Sequence, residues 1–582
     1  MIKTFSYFLY ALFVVLIASI VAPGTPAQPP AITPDKLISY FPLMFRSPPG
    51  LVSGTVFDED GVVAGVTVRV QATTIQTLTD GQGRFTLSSL PVEQPVTISA
   101  WKDGYYCAKV EGVLPSQEEV SLTLHTYQTN DNPAYSWIPP SGEISCASCK
   151  EEVARVWLDN DSHARAAVNP RFLTMYNGTD VHGNKSPLTR YLCTPDYGCI
   201  PLPPDLNQPY YGPGYKLDFP DTAGNCAACH TPGAAVDAPY ETDPNTVTGA
   251  DTFGVHCDFC HKVADVRLEE STGLPYPNMP GVLSMDIRRP FPEDPLRYQL
   301  FFGTFDDDNV PQEDTYLPLI SESRYCAACH FGSFWDTQVY NSFGEWLDSP
   351  YSDLNYPGAK TCQECHMPAP TLVDGQPLTN VAPGKGGVER DPFTIHAHTF
   401  PGASNLELLQ NSVSMTVTSE LLDESLAIQV EIVNDRTGHH VPTDSPLRSL
   451  ILLIEAEDSQ GQSLMLLSGP TIPEWGGIGD PVQGYYAGLP GVAYAKILEE
   501  AWTGISPTGA YWNPTRLVSD NRIPAFGHAP SAYTFAIPQG GGSVAVDVRL
   551  LYRRAFIQLM DQKSWDIDDI LMEQQTFQID IP

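Results

Sequence analysis

The sequence predicts a multidomain protein: an N-terminal β-sandwich, an irregular, mostly α centre rich in cysteine, and a C-terminal β-rich domain. Three observations carry this. Residues 51–125 break into short β-branched runs separated by Asp-Gly turns, and every cysteine except Cys107 falls between residues 130 and 402. Beyond residue 412, apolar and polar side chains alternate again as in half-buried strands.

Taken in order, residues 1–24 read as a secretory signal, with Lys3 followed by an uncharged run from Phe5 to Ala22. The run is nearly long enough to cross a bilayer, so an uncleaved membrane anchor is the alternative. No cysteine follows closely enough for a lipid anchor. Residues 25–49 are a Pro-rich linker. In 50–127, strands are expected at Val52–Phe57, Val66–Val70, Phe85–Leu87, Val96–Ala100 and Val120–Leu124. Residues 128–402 show short helical runs, Glu151–Asp159 and Phe334–Leu347. In 403–582, strands are expected at Ser412–Val433, Leu450–Glu457 and Val544–Tyr552, with an irregular insertion between Gly469 and Pro530. The 45 Gly and 54 Pro in 582 residues agree with many turns.

The chemistry lies in the cysteine spacing. Four C-x-x-C-H motifs occur: Cys226/Cys229/His230, Cys257/Cys260/His261, Cys326/Cys329/His330 and Cys362/Cys365/His366. Two thiols three positions apart share one face of a helical turn and can bond both vinyl groups of one haem, while the next His ligates the iron. Composition alone predicts about 0.006 such matches. Zinc ribbons also use C-x-x-C pairs, but they do not place His after every second Cys. Four covalent haems of the c type are therefore expected, and the centre reads as a multihaem cytochrome c core.

A fifth pair, Cys146/Cys149, is followed by Lys150 instead of His. Three readings stand: a fifth haem with Lys150 as ligand, a degenerate site, or a disulfide. An amine must lose its proton to bind iron, which burial beside a metal favours. Cys193 and Cys199 bracket a turn and suit a disulfide; Cys107 reads as a buried apolar residue.

Haems that only carry electrons usually take a second axial ligand. His163 lies 13 residues after Lys150, about 20 Å along a continuous helix, whereas ligands on opposite faces of one iron are only about 4 Å apart. His163 therefore serves a neighbouring haem. His256 directly precedes Cys257 and cannot reach the far side of that haem. His398 and the pair His439/His440 sit in Gly- and Pro-flanked loops able to present an imidazole. His163, His256, His398, His439 and His440 are the candidate second ligands. His182 is weaker, and His125 and His528 read as structural.

Two resemblances follow from these residues. The runs GTVFDEDGVVAGVTVRV and TLTDGQGRFTLSSLP resemble the carboxypeptidase regulatory-like domain, which implies a spacer or adhesion module over about 75 residues. The segment from Cys146 to Lys150, followed by Trp157 and Ser162-His163-Ala164, resembles the superfamily of nitrification tetrahaem cytochromes, hydroxylamine oxidoreductase and pentahaem nitrite reductase. GVHCDFCH, KTCQECHMP and RTGHHVPTDSPLR look like segments of environmental multihaem cytochromes with a C-terminal β domain, in which the Thr-Gly-His element is thought to cap a haem. A Lys motif ahead of four His motifs is the order in pentahaem nitrite reductases, which implies a catalytic Lys-ligated haem. The surrounding sequence of such a reductase is absent, and only Arg190-Tyr191 offers an adjacent Arg and Tyr.

The net charge of −36 argues against nucleic acid and against anionic lipid. It fits a solvated surface outside the cytoplasm, or an acidic docking face for a basic redox partner protein. The expected function is electron transfer in the periplasm or outside the cell. The alternatives are reduction of nitrite or a related oxyanion at the Lys150 haem, and a structural role in a cell-surface redox assembly.

Overall fold

The computed structural model describes residues 50–582 except 93, 117, 118, 197, 292–298 and 312. The expected signal or anchor and the linker lie outside the described residues. Among the described residues no helix is long and apolar enough to cross a membrane.

The N-terminal strands form as the alternation requires. They are β1 (Gly50–Asp58), β2 (Gly61–Val62), β3 (Thr67–Val70), β4 (Gln76–Leu78), β5 (Arg84–Leu90), β6 (Val96–Trp101), β7 (Ala108–Val113) and β8 (Val120–Thr123). One sheet runs β2-β1-β5, with β8 parallel to β1; the other runs β4-β3-β6-β7. Their facing side chains, among them Val52, Val56, Val68, Phe85, Leu87, Ile98 and Leu122, make one apolar core. Strand β7 escaped the sequence reading because its Ala-Lys-Val-Glu-Gly-Val run alternates weakly.

The C-terminal domain is also two sheets. Its strands are β9 (Ser414–Leu421), β10 (Ser425–Val433), β11 (Ser449–Glu457), β12 (Leu466–Ser468), β13 (Gly491–Glu500), β14 (Thr515–Asp520), β15 (His528–Ala536), β16 (Gly542–Arg553) and β17 (Ile570–Ile581). The orders are β9-β10-β15-β12 and β14-β13-β11-β16-β17. The insertion expected to be irregular is therefore corrected. It contains β13, which pairs with the central strand β11, together with β14. The Gly and Pro residues that flank these strands mask them in the sequence.

The centre departs most from expectation: it is not mostly α. Its longest helix is Glu151–Asn160, ten residues, and most others are single turns alternating with two-stranded ribbons. The helix Pro170–Asn177, for example, starts on a proline and stops at Gly178, which is left-handed at φ 69°. The predicted helix Phe334–Leu347 is half a hairpin, Gly332–Phe334 with Thr337–Tyr340, and only Ser342–Leu347 is helical. Its turn places Trp335 and Asp336 at φ of 52° and 61°, which no helix allows.

Residues 49–582 form one compact unit. The sandwich is joined to the centre by Arg69–Asp306 at 2.7 Å and by Trp101 Nε1 donating to Tyr316 O at 3.1 Å. Lys563 of the C-terminal domain, fully buried, donates to the carbonyls of Thr174, Thr179 and Pro213 in the centre.

Candidate functional site: facing imidazoles on single helical turns

Each C-x-x-C pair begins or spans a helical turn. The four His motifs lie in Ala227–His230, Cys257–Cys260, Arg324–His330 and Cys362–His366, and Cys146–Ser148 is a 3-10 turn. The intervening Ala227, Ala228, Ala327 and Ala328 are fully buried, so these turns pack at close range. Gly281 must be glycine for that reason: at φ +60°, a Cβ there would lie 2.0 Å from Ala228 O.

The turns are neighbours. The Cys146 and Cys257 thiols are neighbours, as are those of Cys229 and Cys329 and those of Cys326 and Cys362, each pair close enough for one thiol to bear on the other's ionisation. Tyr325 donates to Cys260 O at 2.7 Å. The 326/329 turn therefore sits at the middle. The 226/229, 257/260 and 362/365 turns flank it, and 146/149 lies beyond 257/260.

Three of the four motif histidines face a remote histidine. Ring centroids are 6.3 Å apart for His330 and His163, 6.4 Å for His261 and His398, and 6.3 Å for His366 and His439. An iron between two imidazoles requires about 6.2 Å, which is twice the sum of a metal–nitrogen bond of about 2.0 Å and about 1.1 Å from nitrogen to ring centre. Direct ring contact in the same region is much closer: Phe172 on His230 is 3.7 Å and Phe301 on His261 is 4.0 Å.

The outward nitrogens are fixed as well. Nδ1 of His163 meets Asp161 at 3.0 Å, His366 meets Pro401 O at 2.7 Å, His398 meets His396 O at 3.2 Å and His439 meets His440 O at 2.9 Å. His261 Nδ1 bonds to Phe302 O, and His330 Nδ1 lies 3.8 Å from Asp444. Engaging Nδ1 leaves Nε2 of each ring free for the gap. Burial lowers the imidazole pKa of His261 to about 3 and of His366 and His398 to about 4, which favours the neutral, ligating form. The donor spacing, orientation and protonation all fit a haem iron with one imidazole on each face.

Two loops supply two of the remote rings, and the third, His163, opens the 3-10 turn His163–Arg165. The 395–402 loop is pinned to the chain after His366: Ala397 N donates to Pro368 O at 3.3 Å, and His396 Nδ1 lies 3.1 Å from Met367 O. His439 follows β10 and is held by buried Asn434, which donates to His439 O at 2.8 Å and Ile523 O at 3.0 Å. His440 turns away from the gap, its Nδ1 3.0 Å from Glu345. Burial pushes the Glu345 carboxyl up, but hydrogen bonding to His440 and Thr443 and the charge of Arg522 hold it well below the usual range.

The remaining expectations divide. His256 is fully buried and caps its own turn, Nδ1 accepting from Phe259 N at 3.2 Å, beside Trp137 and Asp251. It faces no motif histidine. Arg190 and Tyr191 belong to an outer ribbon closed by the Cys193–Cys199 disulfide. Cys107 is buried, its thiol pKa pushed up by burial and by Asp314. Lys150 is lowered by burial, against the opposing charge of Asp314, whose own carboxyl burial raises to about 7. Lys150 Nζ lies 5.7 Å from the centre of the Phe301 ring, which in turn stacks on His261. Sequence reasoning missed Asp161 and Asp444, which orient His163 and His330; only a carboxylate two residues before His163 hinted at one of them.

No curated protein matches the chain. Among solved structures, the chain is similar to a penta-heme cytochrome c552 from Thermochromatium tepidum, at 19% identity and TM-score 0.48, covering 75% of this chain and 97% of that one. A type II cohesin-X-dockerin complex from Acetivibrio cellulolyticus is similar over 13% of this chain and 58% of that chain, at 21% identity and TM-score 0.13. Residues 51–125, the N-terminal sandwich, match the carboxypeptidase regulatory-like domain family.

Proposed function

We propose that this protein is an exported multihaem c-type cytochrome that transfers electrons. Cys226/Cys229, Cys257/Cys260, Cys326/Cys329 and Cys362/Cys365 would hold four haems, and Cys146/Cys149 with Lys150 is the place where a fifth would be held, an empty or disulfide-bonded pair being the alternative there. The observation that carries the reading is the set of three facing imidazole pairs, all at 6.3–6.4 Å. When bound, each haem iron carries one electron at a time.

The chain's own part is to hold and orient. His330 and His163, His261 and His398, and His366 and His439 are the pairs that would hold three haem irons. Asp161 and four backbone carbonyls fix the tautomers of five of these rings, and Asp444 lies 3.8 Å from Nδ1 of the sixth, His330. Thiol contacts between motifs support short distances from one carrier to the next. The signal-like N-terminus supports a site outside the cytoplasm, where c-type haem is attached. The net charge of −36 supports a basic redox partner protein.

Intact-mass measurement of the exported protein counts the haems, and near-infrared magnetic circular dichroism reads their axial ligands. Three bis-imidazole haems are expected, and His398→Met should convert one of them to a His/Met signature while leaving two. A protein without haem mass, or one with no bis-imidazole signal, overturns the reading.

A further inference from the structure

We infer that Tyr176, Tyr215 and Trp512 form a relay that feeds an electron to the haem held by Cys226, Cys229 and His230, so that this haem reduces hydroperoxides. Trp512 is the source of the electron, and Asp218 is the carboxylate that holds the positive charge left behind. The inference rests on the haem reading above and gives one haem an activity besides electron transfer.

Two helical segments build the relay. Phe172 and Tyr176 are four residues apart in Pro170–Asn177, and Tyr215 and Asp218 are three apart in Tyr215–Asp218, so each pair shares a face. Phe172 lies flat on His230, with ring centres 3.7 Å apart and an interplanar angle of 2°. Phe172 to Tyr176 is 6.1 Å, Tyr176 to Tyr215 is 5.6 Å at 9°, and Tyr215 to Trp512 is 6.2 Å. Tyr176 and Tyr215 are 1% and 8% exposed, which keeps water out of the line. At the outer end, Trp335 is 55% exposed and donates its Nε1 to the Trp512 carbonyl at 3.0 Å.

The resting place of the charge follows from the hydrogen bonds. A tyrosine gives up an electron readily only when its phenol proton can leave. Tyr176 OH donates to Ala223 O at 3.0 Å, and Tyr215 OH meets Thr222 Oγ1 at 2.6 Å. Neither partner is a base. Trp512 differs, because an indole can lose an electron and keep its proton, as a cation. Its Nε1 donates to Asp218 Oδ2 at 2.6 Å. The other donors to that carboxylate are the Asn513 side-chain amide, at 2.8 Å, and the Thr189 hydroxyl. All three donors are neutral, so the full negative charge of Asp218 faces the indole. Both groups are half-buried, and at that range the carboxylate strongly favours an indole cation.

The chain also leaves this haem open to an outside reactant. Six histidines make the three facing pairs, and His230 is in none of them. His256 caps its own turn, His396 meets Met367 O, His440 meets Glu345 and His528 meets Glu431. His182 is exposed in the turn after Asp180, and His125 follows β8. These account for all thirteen histidines, so no imidazole is left for the far face.

A hydroperoxide takes up two electrons and two protons as its O–O bond breaks, and yields an alcohol and water. Hydrogen peroxide yields two waters. The iron supplies one electron. The Trp512 indole supplies the other, through the rings of Tyr215, Tyr176 and Phe172, and solvent supplies the protons. The reduced redox partner protein then returns one electron to the iron and one to Trp512.

The test uses the full-length exported holoprotein, its haem content fixed by intact mass, with hydrogen peroxide as the oxidant. Oxidised protein mixed with peroxide and frozen at once should show an indole radical by electron paramagnetic resonance. Its narrowing in protein grown on ring-deuterated tryptophan identifies it. Trp512→Phe should lose that signal, and its haem should bleach faster under repeated peroxide. Trp512→Tyr is the second variant, in case the first fails to load its haems, and should exchange the indole signal for a phenoxyl one. Asp218→Asn keeps an acceptor for the indole but removes the charge, and should also lose the indole signal at full haem mass. Full haem mass without an indole radical overturns the inference while sparing the haem reading, as does an indole radical that survives in the Trp512 variants. An indole signal unchanged in Asp218→Asn overturns the part given to that carboxylate. Absence of haem mass overturns the haem reading itself, and this inference with it.

Discussion

The N-terminal sandwich and the centre solve the same problem with opposite means. The sandwich buries fifteen apolar side chains in one cluster and leaves its charges outside; Arg84 and Asp80 are 65% and 43% exposed. The centre, more than three times as long, has eleven buried apolar side chains in its main cluster, and its buried side chains include Arg289, Lys262, Asp258 and Asp307. Asp258 alone accepts from Lys262 at 2.6 Å, Tyr135 at 2.9 Å and the Ile138 amide at 2.8 Å. The difference teaches that sheet pairing frees side chains to be apolar. A chain without sheets must spend polar side chains on satisfying its backbone, and must obtain apolar mass from elsewhere. In the proposed function, that mass is porphyrin.

The largest effect follows directly. Protein produced without haem attachment should lose the centre and keep the sandwich. Limited proteolysis with mass spectrometry should then leave a fragment close to residues 50–127, stable on its own core. A haem-free chain that resists proteolysis throughout would break the comparison.

A smaller effect comes from the buried charges. Arg289, 2% exposed, holds Asp131 at 2.6 Å and Asp237 at 2.7 Å and lies beside Trp137. Arg289→Met leaves Asp131 and Asp237, which are 29% and 52% exposed and so partly solvated, without their cation, and should cost about 1–3 kcal/mol in denaturant unfolding of the holoprotein. A cost near zero would mean that the network orders the centre without stabilising it.

How legible each region was follows from the same contrast. The sandwich strands could be read because Val52–Phe57 and Phe85–Leu87 alternate between Asp-Gly turns, and the structure places β1 and β5 there. The motif turns could be read because the cysteine spacing is itself a helical turn. That His163 could not serve the Lys150 site was also legible, from chain length alone. Its partner His330 was not, because 167 residues separate them and the loops between carry no periodicity. Strand β13 was hidden by its Gly- and Pro-rich flanks. Asp444, which lies 3.8 Å from His330, carried no motif at all, and only folding brings it there.

Glu345 gives the next effect and ties the centre to the C-terminal domain. Its folded pKa is depressed below the ordinary 4.5, so its contribution is complete above that value and is lost as pH falls through the folded one. Wild-type stability should therefore fall progressively below pH 4.5. Glu345→Gln should cost about 2 kcal/mol at neutral pH and remove this carboxylate's share of the acid loss, measured by urea unfolding at stepped pH. An unaltered acid limb would show that the loop bearing His439 and His440 is fixed by Asn434 alone.

The smallest effect belongs to the sandwich. Arg84 meets Asp80 at 2.9 Å, but both are solvated, and water and salt screen such a pair. Arg84→Gln should leave the melting temperature of the sandwich fragment unchanged, at low salt and at high. Asp80→Ala should lower it, because the Asp80 carboxylate also accepts from the amides of Gln82 and Arg84, both at 2.9 Å, and so closes the turn into β5. The side chain's value there lies in its own backbone and not in the opposite charge. If Arg84→Gln proved as damaging as Arg289→Met, charge would govern both regions alike and burial would not be what separates them.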